Sequence, residues 1–205
     1  MTDTDNDRPR RVPEPAGKAQ WRTELTARRS AISPGQQVSE AHALAGRVAE
    51  LTAGTVCCYV PFGSEPGAIT LLDVLRKAGA RVLLPIVPPA PGPLDWAEYT
   101  GTSSLVTGRF KGVLEPEGPR LGPRALATAD RILLPALAVD HAGVRLGRGA
   151  GYYDRSLPFA ADTTDLVAVI RDTELVPSLP AEPHDIRMNA ALTPGGGLIR
   201  LPLSN

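Results

Sequence analysis

The chain has 205 residues, 42% of them apolar but only 4% aromatic, so a single domain with an aliphatic core is the default expectation. Its 22 basic and 22 acidic residues cancel, which argues against a dedicated nucleic-acid or anionic-membrane binder. No apolar run reaches the roughly 18 residues needed to cross a bilayer. The N-terminus MTDTDNDRPRRVPEPAG has no apolar stretch of the secretory kind. Two cysteines, Cys57 and Cys58, are adjacent; they are poor disulfide partners and too few for a zinc site. A cytoplasmic protein is expected.

Residues 1–16 are polar, carry charges of both signs and include three prolines; they read as a disordered tail ahead of one domain spanning 17–205. From Gly17 to Ser30, Trp21 and Leu25 fall one turn apart among basic residues, which predicts an amphipathic helix. A second helix starts at Ser33-Pro34, keeps Val38, Ala41, Leu44, Ala45, Val48 and Leu51 at helical spacing, and ends near Gly54. TVCCYV (55–60) predicts a buried strand, ITLLDVLRKAGA a helix stopped by Gly79, and RVLLPIV (81–87) a second strand. After a proline-rich loop, LDWAEY (94–99) alternates like an exposed edge strand. Further strands are predicted at 130–137, 165–170 and, as the last, 189–194. Strands alternating with helices imply an α/β fold: a mostly parallel sheet with helices on both faces, in three layers.

The most informative stretch is VRLGRGAGYYDRSL (144–157). It follows the strand ending RILLP and opens what reads as a helix. Glycines there let backbone amides approach an anion, and the helix dipole favours negative charge. Arg145 and Arg148 add forked donors suited to phosphate. Asp154, in the first helical turn, would repel phosphate unless a cation such as Mg²⁺ lay between. The same glycines also serve as simple turns. The spacing is neither a Walker loop nor a dinucleotide fingerprint, although Asp172 lies about where the latter places its ribose contact.

LLPALAVDHAGVRLGRGAGYYDRSL closely resembles the signature of the 5-formyltetrahydrofolate cyclo-ligase family. Shorter segments resemble the family's other motifs in order: KAQWR with ARR, YVPFGSEPGAIT, GVLEPEG and PAEPHDIRMNAALTP. The resemblance covers about Lys18 to Pro194. It implies an ATP- and Mg²⁺-dependent conversion of 5-formyltetrahydrofolate to 5,10-methenyltetrahydrofolate with release of ADP and phosphate. It also implies a fold related to the sugar-phosphate isomerase and CoA-transferase group, and small-molecule partners only, in a monomer or weak dimer. Two rival readings are a non-catalytic nucleotide- or folate-binding regulator and a sugar-phosphate isomerase on the same scaffold.

By the same resemblance, ATP contacts fall on Lys18 and Arg22 of the first helix. They continue over Arg145, Leu146, Gly147, Arg148, Gly149, Ala150, Gly151, Tyr152 and Tyr153. The segment from Arg148 to Tyr152 also borders the folate, with Val60 and Glu65. Asp154 and Asp185 resemble the Mg²⁺ ligands. Arg148 and Glu65 are the candidate catalytic residues, and Glu65 suits the N10 proton; from residue types alone an ordinary loop acid fits Glu65 equally well, and Lys18 and Arg22 read as a solvated basic helix face. Ala150 stands where glycine or lysine is common in the family, and Asn189 where an acid or small residue often stands. Glu115 either lines the cleft or serves the EPEG turn. Phe62 and Phe110 are candidates to stack on the pterin, whereas Trp96 and the cysteines read as core. His42 and His141 read as surface residues.

Overall fold

The computed structural model describes residues 17–51 and 54–203; the disordered tail expected over 1–16 lies outside them. Among the described residues, four α-helices, α1 (Lys18–Ser30), α2 (Pro34–Val48), α3 (Ile69–Lys77) and α4 (Tyr152–Ser156), accompany three sheets. The large sheet contains β1 (Thr55–Cys57), β2 (Arg81–Ile86), β3 (Asp95–Glu98), β6 (Arg131–Pro135), β9 (Asp165–Val169), β11 (Ala190–Thr193) and β12 (Gly197–Arg200). Between them lie β4 (Leu105–Thr107) with β5 (Leu114–Pro116), and β7 (Ala138–Asp140), β8 (Arg145–Leu146) and β10 (Leu175–Val176).

The large sheet runs β12-β11-β9-β6-β1-β2-β3. The five inner strands are parallel, and both edge strands are antiparallel to their neighbours. This matches the near-continuous apolar runs of the inner strands, which are covered on both faces. On one face α2 and α3 bury Leu44, Val48, Leu71, Leu72 and Leu75 against the sheet. The other face is covered by short pieces, namely α4 and the 3₁₀ turns Pro123–Thr128 and Leu157–Phe159, rather than by long helices. A third cluster sits where Leu25 of α1 meets Ala138, Leu146 and Val176 of the small β10-β7-β8 sheet.

Local signals explain most boundaries. Ser33 caps α2 by accepting from the Gln36 amide at 3.2 Å, with Pro34 in the first turn. Gly79, at φ +93°, follows the end of α3. The second helix stops at Val48, well short of Gly54, because a 3₁₀ turn takes over; Gly54 instead presents its carbonyl to the Arg81 amide as β1 begins. The edge strand at 95–98 is not exposed: Trp96 is fully buried in the cluster beneath α4 and its surroundings, and Ala97, the next residue along, is fully buried as well. The strand at 190–193 is not the last, since the turn through Gly195 and Gly196 returns β12 antiparallel along it.

Candidate active site

The inner strands end at one crevice, as open parallel sheets dictate. It is a cavity of about 530 Å³. Tyr59 and Val60 enter it beyond β1, Pro85 and Val87 from the end of β2, and Pro135 to Leu137 beyond β6. Phe62, Phe110, Val113 and Leu114 extend an apolar wall. The glycine loop completes the lining, with Arg145 and every residue from Gly147 to Asp154 in it. An apolar slot joined to a cationic loop suits a ligand with a flat ring at one end and anionic groups at the other.

The loop is built by close approaches. Gly151 caps α4 at φ +70°, a left-handed conformation that side chains disfavour. A Cβ on Gly147 would lie 2.9 Å from the Arg145 guanidinium. Arg22 donates from Nε to the Gly147 carbonyl at 3.0 Å, so the first helix braces the loop directly. The inward stripe of α1 is Lys18, Arg22, Leu25 and Arg29; its basic residues are not a solvated face.

Each predicted acid is paired with a predicted cation. Glu65 Oε1 lies 3.4 Å from Arg148 Nε. Asp154 pairs with Arg145 at 2.5 Å. Asp185 accepts from Lys18 Nζ at 3.0 Å, and Glu182 accepts from the same ammonium at 2.5 Å. Burial pushes the Glu65 carboxyl above its ordinary value, and the nearby Arg148 opposes this. Burial likewise lowers Arg145, against the raising influence of Asp154, Tyr153 and Asp185; its Nε has no partner among the described residues. Burial of Lys18 is outweighed by its acidic partners, which lift it above the usual lysine value.

Asp154 and Asp185 do not share one cluster. Asp185 groups with Glu182 and His184, whose ligand atoms lie within 4.8 Å of one another. Asp154 is joined to it only through Arg145, which feels both carboxylates. Asp185 reaches this side although it precedes a parallel strand, because the segment 177–188 folds across the small sheet: the Leu179 amide donates to Asp140 and the Met188 amide to the Gly143 carbonyl.

Glu115 does not line the cavity; it is buried in β5 and accepts from the Val87 amide at 3.1 Å. Trp96, Cys57 and Cys58 are core, while Phe62 and Phe110 line the slot. Sequence reasoning missed Tyr59 and Arg29, which also line it. The signal for Arg29 was present: a charge one turn beyond Leu25 on the apolar stripe of α1.

Comparison with known proteins converges on one group. A 5-formyltetrahydrofolate cyclo-ligase of Mycolicibacterium smegmatis is 47% identical over 193 residues, which is 91% of this chain and 98% of that protein. The Escherichia coli K12 cyclo-ligase is 35% identical, covering 83% of this chain and 96% of its own. The solved structure of Aquifex aeolicus 5,10-methenyltetrahydrofolate synthetase superposes with a TM-score of 0.75 at 25% identity, covering 92% of this chain and 94% of that one. A Mycoplasma pneumoniae synthetase shares the fold, with a TM-score of 0.68 at 17% identity over 86% of this chain and 98% of that one. The model of the 5-formyltetrahydrofolate cyclo-ligase family matches residues 14–194, the whole span that builds the crevice, its glycine loop and the Asp185 segment, and the chain belongs to that family.

Proposed function

We propose that the chain closes 5-formyltetrahydrofolate to 5,10-methenyltetrahydrofolate at the expense of ATP, releasing ADP and phosphate. The observation that carries this reading is the half-buried Glu65 carboxylate, 3.4 Å from Arg148 of the glycine loop, in a cavity that joins an apolar wall to a cationic loop. The slot holds the pterin and N10 side of the folate. Arg145, Arg148 and the loop amides face the triphosphate.

A formamide oxygen leaves poorly. Its attack on the γ-phosphorus expels ADP and leaves a phosphorylated iminium carbon on N5. N10 then adds to that carbon, Glu65 takes the N10 proton, and the C–O bond breaks to release phosphate. No covalent enzyme intermediate is needed, so the protein's work is positioning, charge compensation and exclusion of water. Burial raises this carboxyl and so makes it a better proton acceptor than an ordinary glutamate, while Arg148 opposes the rise.

Asp154 and Asp185 would offer hard oxygens to Mg²⁺ from either side of Arg145, and each now neutralises a cation of the phosphate side. Mg²⁺ there would offset charge between phosphate oxygens and the two carboxylates. To act as ligands, Asp185 and Asp154 would exchange Lys18 and Arg145 for the metal. The site lies within one chain, so a monomer suffices.

The test follows the absorbance of methenyltetrahydrofolate with 5-formyltetrahydrofolate, with and without MgATP. Product formed only with MgATP supports the reading. Tight binding of both ligands without product would establish a regulator, and turnover of a sugar phosphate without ATP an isomerase.

A further inference from the structure

Four charges form a chain that runs from the cavity wall, which Arg29 lines, back to Glu40 of α2. Arg29, 1% exposed at the end of α1, donates to both oxygens of Glu174 at 2.7 Å and to the Ala136 carbonyl at 2.5 Å. Glu174, 4% exposed, also accepts from the Arg171 amide at 2.8 Å. Arg171, 4% exposed, donates from Nε to Glu40 of α2 at 2.6 Å and from Nη1 to the Ser64 carbonyl at 3.0 Å. The charges balance, but burying three ions and part of a fourth is costly, and apolar side chains of similar volume commonly do as well for stability. Stability alone therefore gives no reason for the arrangement.

Its endpoints give one. Ala136 is in the cavity wall, and Ser64 immediately precedes Glu65. On the other side of Glu65, the buried Tyr59 hydroxyl donates to the Pro66 carbonyl at 2.5 Å. The Glu65 amide itself donates to the Phe62 carbonyl at 3.1 Å. Both carbonyls flanking Glu65 are thus gripped by buried side chains, and its own amide is tied down between them. A group that must meet a reacting proton within a fraction of an ångström needs such a frame.

We propose that Arg171 is a positioning residue of the active site: fixed by Glu40 and Glu174, its guanidinium holds the Ser64 carbonyl and so fixes the backbone from which Glu65 reaches the cavity. The proposal rests on the reading of Glu65 as the proton acceptor. Arg171 itself is not among the residues that line the cavity.

Removing Arg171 alone would strand Glu40 and threaten folding. The test therefore uses Glu40→Met/Arg171→Met, which replaces the pair with apolar side chains of similar length and leaves Glu174 paired with Arg29. The expected variant melts within about 5 °C of the parent. Its kcat falls roughly tenfold or more, while KM for ATP changes less than about threefold. Hydrogen exchange at the Glu65 amide accelerates, and the amides of β9 keep their protection. Unchanged kcat would overturn the proposal, as would an unchanged Glu65 amide, or a loss of protection spread over the whole sheet. Should the parent enzyme form no methenyltetrahydrofolate, the proposed function fails instead; local exchange at Glu65 still decides whether Arg171 holds the loop.

Discussion

Arg148 stands between two glycines with its side chain 44% exposed, and among the described residues its charged partner is Glu65 at 3.4 Å. Little of the fold leans on it. A charge-assisted contact to phosphate is worth about 1.5–3 kcal/mol, so Arg148→Ala is expected to lower kcat/KM for ATP at least about tenfold. Its second effect runs through Glu65. Burial raises that carboxyl and Arg148 restrains the rise, so the acid limb of the pH–rate profile should move to higher pH in the variant. A carboxyl whose folded value is raised loses stabilisation as pH climbs through that value. The variant should therefore melt like the parent below the ordinary value of 4.5 and slightly earlier only above it. Normal activity with a collapsed melting temperature would make Arg148 a structural residue instead.

Two segments meet at the phosphate side: the β7–β8 turn and the stretch that carries Asp185. They meet at Gly143, where φ is +87° and a Cβ would lie 2.6 Å from the Met188 carbonyl oxygen. Gly143→Ala forces a left-handed alanine, costing about 1–2 kcal/mol before the clash is counted, or roughly 2–8 °C in melting temperature for a chain this size. Displacing the Met188 side of that contact should also raise the Mg²⁺ concentration for half activity; a melting change with no such rise would uncouple the two segments. Asp154→Asn and Asp185→Asn should each raise the Mg²⁺ requirement, and the double variant should lose much less than the sum, because both act through one ion. Additive losses would remove Asp185 from the metal site. The same elements show what was legible in the sequence. The long apolar runs at 130–137 and 165–170 announced inner strands because burial on both faces leaves no alternation to mistake. The glycine loop announced itself through residue types with no cheaper use in one place. The two-residue strands β8 and β10 were invisible, since their pairing depends on partners distant in sequence. So were the Glu65–Arg148 and Arg29–Glu174 pairs, for the same reason: complementary charges far apart in a chain carry no local pattern.

At the scale of the whole molecule, residues 1–16 are almost entirely ahead of the family match, which begins at residue 14. Their sequence offers little apolar surface to set against the entropy of ordering them. Deleting them should leave activity within about twofold, or roughly 0.4 kcal/mol in barrier terms; a tenfold loss would show that they close over the site. The body itself is two packed halves divided by the central sheet. Cys57 belongs to the cluster on one face and Cys58 to the cluster on the other. Both are fully buried, and burial pushes their thiols up, Cys58 to about 12, so neither reacts until its own layer opens. Adjacent in sequence, they are back-to-back sensors of the two halves. In single-cysteine variants, equal labelling rates by a thiol reagent under mild denaturant would mark one cooperative unit. Unequal rates would name the half that lets go first.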